Sequence, residues 1–441
     1  NSGATGSFIF SQLQQIDLDP GNGNSDSEAR GVAFADLDND GYLDMIVARE
    51  GEPLLYMNNK TGNNFSLIKL VGKGSTNSSA IGSRVKLVSN LPEQGGNTTQ
   101  IREVSGQTGF GGQNDLRAHF GLGTATKIDE MKAQWLNSTG GSARQENIYT
   151  DIPTNKFIVF TQGNLNVGAS VIKSQNFMYL FGNTGGSVEF TTADADGGTL
   201  TMQRTDSDPG GTFSSNTATN PGGGTITANA VYPDQFWTIS QTDLTGFSSK
   251  VYFDGNGLTG SPDLDDVVLL QRANNSSDWV ALNTNRIGNT LYSSGVTSFS
   301  EFAIGYEEAP QTVLLETKIF LEGAYDVGAI DPIMRSDITV PVTSPYIENV
   351  RTIDPIPADI VDWVLVELRS TDTGSAVVSK SALLHKDGRV VNDDASSGQV
   401  EIEAVPGSYY IVIKHRNHLA VMSADPVPLN ENFTTLYNFT N

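Results

Sequence analysis

Apolar and polar residues alternate along most of this chain in short runs, and glycine, asparagine or aspartate breaks each run. The first such run is the segment SFIFSQLQQIDLDP, which starts at Ser7. Val32, Phe34, Leu43, Met45 and Val47 then keep a period of two on either side of an acidic stretch. A period of two places alternate side chains on opposite faces of a strand, so these runs predict β-structure. The longest apolar segments, such as Val364-Leu-Val-Glu, are strand-sized and fall short of the length needed to span a bilayer. Segments with a helical period are scarce.

Composition extends this to the whole chain. With 46 Gly among 441 residues, and Thr, Ser and Asn abundant, an almost all-β protein is predicted. The length predicts about three or four domains, each with its own core. A change of character after residue 162 and a linker at Ala309-Pro310 put the later domains at 163–308 and 309–441, and family resemblances over the preceding residues imply earlier ones at 1–60 and 61–162. The expected fold class is a multidomain chain of β-sandwich and β-barrel-like modules carrying one strand–loop–strand motif. A net charge of −23 argues against nucleic acid and anionic membranes as partners and favours divalent cations. The chain has no Cys, hence neither disulfides nor thiolate metal sites, which is compatible with secretion when domains are large enough to fold without staples. It begins at Asn1 with no signal-peptide pattern, as expected of a processed product.

The most specific chemistry lies in Asp36-Leu-Asp38-Asn-Asp40-Gly41-Tyr42-Leu-Asp44. Carboxylates at positions 1, 3, 5 and 9, a glycine at 6 for the sharp turn and a backbone carbonyl at Tyr42 form the oxygen set a hard cation takes. The Glu that closes a helix–loop–helix calcium hand is replaced by Val47, and both flanks are strand-like. Four Asp side chains this close repel one another unless a cation lies between them. The expected metal is Ca2+, held by Asp36, Asp38, Asp40, Tyr42 and Asp44.

Over roughly residues 8–60 this stretch resembles the FG-GAP/VCBS repeat, the calcium-binding blade unit of integrin-like β-propellers. A propeller needs several blades, and this chain holds one copy of the motif. Residues 60–162 resemble the ASPIC/UnbV domain, which follows such repeats in many secreted bacterial proteins. The resemblance is carried by Leu70-Val-Gly72, Ile81-Gly82-Ser83-Arg84-Val85, Arg102-Glu103-Val104, Gln113-Asn114, His119-Phe-Gly121-Leu-Gly123 and Trp135. Leu136-Asn-Ser-Thr-Gly140-Gly stands where that family has Pro-Ser-Gly. Residues 163–308 read as an immunoglobulin-like sandwich. The strands DWVLVELRS and YYIVIKHRNHLAVMS and the hairpin LLHKDG resemble a C-terminal β-sandwich module of secreted Bacteroidota proteins.

Other candidates are weaker. Asp194-Ala-Asp196-Gly197 and Asp263-Leu-Asp265-Asp266 are acidic turns that lack the full ligand register. Gly121-Leu-Gly123 reads as turn glycines rather than a phosphate cradle. His119 reads as a satisfied core or interface histidine. Phe236, Trp237, Trp279 and Tyr292 are either a sugar-stacking platform or sandwich core, with core favoured for most of them. His415 and His418, three apart on one strand, should point to opposite faces and form no shared site. Sequons occur at Asn59, Asn64, Asn77, Asn97, Asn137, Asn274, Asn275, Asn432 and Asn438 and make surface glycosylation feasible.

No G-x-S-x-G elbow or H-E-x-x-H motif is present and no nucleophile–base pair stands out. Paired carboxylates of a glycosidase need only proximity in three dimensions and stay open, but the modules resembled are ones that bind, space or attach. The expectation is therefore a non-enzymatic extracellular structural protein, a homo-oligomer or polymer such as a bacterial surface filament, joined by exchange of terminal strands. A secreted adhesin with a glycan or cell-surface partner is the alternative. A second is an accessory region of a larger secreted enzyme.

Overall fold

The structure is a computed structural model that describes residues 10–14, 29–49, 52–58, 62–136, 144–172, 174, 176–192, 196–214, 217–326, 333–335, 339–395, 398–432 and 436–440. It is all-β, and two single-turn 3-10 segments, Pro92–Gln94 and Glu322–Ala324, are its helical elements among these residues. The chain divides into two compact units, 1–308 and 309–441. Among the described residues no sheet closes into a barrel, and no helix is long and apolar enough to cross a membrane.

The first unit is built on a central eight-stranded sheet. Three adjacent inner strands of it, Asn64–Val71, Lys156–Thr161 and Phe177–Phe181, run parallel, with Phe157 opposite Leu67 on one side and Phe177 on the other. Both faces of this sheet are covered, and the side chains of Phe177–Phe181 show it. Met178 and Leu180 enter a core with Val85, Leu87, Met131 and Trp135 of a four-stranded sheet formed within residues 84–153. Tyr179 and Phe181 enter a second core with Leu200, Trp237, Leu269 and Phe302 of a seven-stranded sheet formed within residues 166–306. The result is three stacked layers. A strand buried on both faces should be apolar throughout, as Phe177-Met-Tyr-Leu-Phe181 is. Strands of the outer sheets are instead half-buried and alternate, as in Arg84–Leu91.

Strands expected in two separate domains, 61–162 and 163–308, thus share one sheet. The central sheet runs without interruption across 162/163 because Lys156–Thr161 hydrogen-bonds to partners on both sides of that point.

A small four-stranded sheet precedes this stack, in the order Phe10–Gln14, Leu54–Asn58, Asp44–Arg49, Ala29–Ala35. Residues 1–9 and 15–28 of the expected N-terminal segment, the sequons at Asn59 and Asn137, the turn after Leu136 and Asp194 lie outside the described residues.

The second unit is one nine-stranded sheet centred on Ile360–Arg369, which pairs with Val378–His385 and Gly407–His415. Val364, Val366 and Leu368 face a core with Val313, Ile402 and Ile413, and Trp363 lies on the other face beside Leu383. Both terminal strands pair within their own chain. Phe10 lies opposite Asn58, and Leu436–Asn438 runs parallel to Thr312–Lys318.

Candidate metal centre

The acidic loop connects strands Ala29–Ala35 and Asp44–Arg49, whose register sets Ala35 opposite Asp44 and so brings the two ends of the loop together. Its carboxylates organise its own backbone. Asp36 accepts hydrogen bonds from the N–H groups of Asp40 (3.1 Å) and Gly41 (2.9 Å), and Asp38 accepts one from Asp40 (3.2 Å). Asp40 accepts one from the N–H of Tyr42 (2.9 Å). Two residues adopt positive φ to make the bend, Asn39 at 56° and Gly41 at 93°. At Gly41 a Cβ would also lie 2.0 Å from the Phe65 ring, so both conformation and space require glycine.

This folding brings one carboxylate oxygen each from Asp36, Asp38 and Asp40 to within 4.8 Å of one another, the one such group among the described residues. Three hard oxygens at this spacing suit Ca2+. Asp36 is buried, and that burial lifts its carboxyl above the usual range despite the two backbone N–H groups and the nearby Arg117. Asp44 is also buried and does different work. One of its oxygens accepts the N–H of Leu37 (2.9 Å) and the other that of Asn58 (2.8 Å), tying the loop to the neighbouring strand. The Tyr42 hydroxyl donates to the Asn63 carbonyl (2.8 Å), and its ring lies 6.1 Å from that of Phe65.

The loop is docked on the following layers by side chains that motif spacing could not nominate. Arg117 donates to the Asp36 carbonyl (2.8 Å) and to Asn39 (3.0 Å) while paired with Asp115. The Asp115 N–H donates to the Phe34 carbonyl, and the Asn114 side chain accepts the Phe34 N–H, both at 3.0 Å. His119 sits 2.9 Å from the Gly41 carbonyl, which can only accept, so its Nε2 carries the proton. Burial holds its pKa below the usual imidazole value. The one sequence signal for these residues was that Asn114 and His119 fall within the pieces resembling ASPIC/UnbV.

The other candidates are placed as follows. Asp265 is paired with Arg286 at 2.6 Å. Gly121, expected in a turn, lies inside the strand Ala118–Gly123 opposite Phe65, and Gly123, at φ 50°, is its last residue. The four aromatics form no common surface: Trp237 lies in the core between the central and seven-stranded sheets, Phe236 and Trp279 in a separate cluster with Val268 and Leu270, and Tyr292 stacks on Tyr252. Trp237 and Trp279 are 0% and 1% exposed, which removes the sugar-stacking platform. The expectation that His415 and His418 point to opposite faces is overturned. They do not share a strand; they flank the two-residue turn Arg416-Asn417 and are paired across it, which puts both on the same face.

Fold and loop together define an all-β chain in which an acidic, cation-suited loop is docked on a three-layered stack of sheets. Residues 72–167 of it match the family described as ASPIC and UnbV. No curated protein and no solved structure matches the chain. The matched segment takes in the whole four-stranded outer sheet and the strands Ala118–Gly123 and Lys156–Thr161 of the central sheet. Asn64–Val71, which pairs with both of those strands, lies just before it.

Proposed function

We propose that this chain is a non-enzymatic extracellular structural protein, a self-associating subunit of a bacterial surface filament or fibre whose N-terminal sheet is stiffened by Ca2+. In this reading Asp36, Asp38, Asp40 and the Tyr42 carbonyl hold the ion, and Asp44 anchors the loop around it. The observation that carries the reading is the state of that sheet. Among residues 30–49 and 52–58, the part of this sheet and its loop whose burial is described, the buried ones are Asp36, Gly41 and Asp44, and none carries an apolar side chain. Val32, Phe34, Met45, Val47, Leu54 and Tyr56 share one face by register; Val32 is 44% exposed and the other five are only partly buried. A sheet of this size needs an apolar face packed on something to be stable. A cation at the loop and a second copy against the sheet supply the missing terms.

The ASPIC/UnbV match and the likeness of the first segment to an FG-GAP/VCBS repeat support an extracellular setting, as does the likeness of 309–441 to modules of secreted Bacteroidota proteins. Strand exchange would replace the intramolecular pairing of Phe10–Gln14 with the same pairing between chains. The adhesin alternative loses its aromatic platform with Trp237 and Trp279 buried.

Sedimentation velocity and negative-stain microscopy of the full chain, with Ca2+ and then with excess chelator, test this. Polymers that disperse on chelation are expected; monodisperse single chains in saturating Ca2+ would sink the proposal.

A further inference from the structure

We propose that His415 and His418 form a second metal site, one for a divalent transition-metal ion and best suited to Cu2+, at the tip of the hairpin between strands Gly407–His415 and His418–Met422. The Nδ1 atoms of the two rings face each other at 2.8 Å, with ring centroids 4.8 Å apart. Two nitrogens each about 2.0 Å from one ion lie about 2.8 Å apart when adjacent in a square plane and about 3.3 Å apart in a tetrahedron. As it stands this contact is a hydrogen bond, His418 Nδ1–H donating to the His415 Nδ1 lone pair, and its length matches the spacing of a square-planar pair, the arrangement Cu2+ and Ni2+ prefer; Cu2+ binds such nitrogen sets most strongly of the first-row ions.

A second feature points the same way. His415 Nε2 is 3.1 Å from Asp362, a buried carboxylate that can only accept a hydrogen bond there, so Nε2 carries the hydrogen and, in the neutral ring, Nδ1 carries the lone pair. The Asn417 N–H, 3.3 Å from Nδ1, donates to the same lone pair, which fits this tautomer; an ion bound at Nδ1 would displace that long contact. A histidine whose far nitrogen is held by a carboxylate is the usual setting of a metal-binding imidazole, because the carboxylate fixes the ring and raises its basicity. Asp362 is itself fixed by the Trp363 N–H (2.8 Å) and by Arg416 (2.8 Å). His415 is 9% exposed, whereas His418 lies in the exposed strand, so the pair joins a rigid inner ligand to an outer one that solvent can reach. Binding requires His418 to carry its hydrogen on Nε2, a change of tautomer with no net loss of a proton.

The full chain, with Ca2+ in excess to occupy oxygen-rich sites, is titrated with Cu2+ by calorimetry and examined by electron paramagnetic resonance. One Cu2+ per chain coupled to two nitrogens is expected. His418→Ala removes an exposed side chain, should leave the melting temperature unchanged, and should weaken binding at least about tenfold. Asp362→Asn should weaken it about 10–100-fold, and His385→Ala should leave it as it was. No Cu2+ uptake, fewer than two coupled nitrogens, or equal affinity in wild type and His418→Ala would overturn the proposal.

Discussion

Ending the chain at residue 162, close to where the matched family segment stops, should leave a fragment that does not fold, whereas ending it at 308 should not. The cut removes Met178, Leu180 and Tyr252 from the core they share with Trp135 and Phe160, where they are 2%, 0% and 2% exposed. At ~1.5–3 kcal/mol for each large buried side chain, that is ~5–9 kcal/mol lost. It also strips Phe177–Phe181 from Lys156–Thr161, exposing Val159 on the far face. The fully buried Asn147 loses the Gly163 and Asn183 oxygens that its side-chain N–H groups reach at 2.9 and 2.8 Å, at ~1–3 kcal/mol for each buried group left unpaired. Domains are stable by only ~5–15 kcal/mol, so the loss is decisive. Trp135 is the sole tryptophan of residues 1–162 and reports on the shared core. Urea titration followed by tryptophan emission, from Trp135 alone in 1–162 and from Trp135, Trp237 and Trp279 in 1–308, should give no cooperative transition for the shorter fragment and a sharp one for the longer. A sharp transition in the shorter fragment, with Trp135 emitting as a buried ring, would refute the shared-sheet reasoning.

Other outcomes follow from the same structure. Gly41→Ala forces a Cβ to 2.0 Å from the Phe65 ring at φ 93°; a loss of ~1–3 kcal/mol is expected, seen as a lower melting temperature and a weakened response to Ca2+. Ca2+ at about a hundred times its dissociation constant should stabilise the protein by ~2.7 kcal/mol, and Asp36→Asn should abolish that gain in a thermal melt. Trp279→Ala should cost ~3–5 kcal/mol, because Trp279 is buried against Arg272 at 4.1 Å and donates to the Gly210 carbonyl; an unchanged urea midpoint would count against its core role. In the 309–441 unit, burial pushes the carboxyls of Glu367 and Asp387 upward, but their partners prevail and hold both low. Lys414 and Arg369 do so for Glu367; Arg389 and His385 bring Asp387 to about 2. A depressed folded pKa adds stability above the unfolded carboxyl value of about 4 and loses it as pH falls through the folded one. Circular dichroism should therefore show this unit weakening between about pH 4 and about pH 2 and holding above that window.

Strand character and the acidic loop were legible in the chain itself because both are local. Alternation at Asp44–Arg49 or Arg84–Leu91 needs only neighbouring residues, and the D-x-D-x-D-G spacing bends its own backbone through Asp36, Asp40 and Gly41. What docks that loop was not legible. Arg117 and His119 reach it from about eighty positions away, a separation across which no local pattern operates. The same is true of the central sheet. The apolar runs Lys156–Thr161 and Phe177–Phe181 announce burial, but the parallel pairing that joins them to Asn64–Val71 is set by register across some ninety residues. Only folding shows that the two expected domains share this layer. At His415 and His418 the miss was smaller in distance and of another kind. Taken as one strand, the segment places the two rings on opposite faces; bent at Arg416-Asn417, it pairs them on one. A two-residue turn reverses the chain, and with it the rule that separates neighbouring side chains.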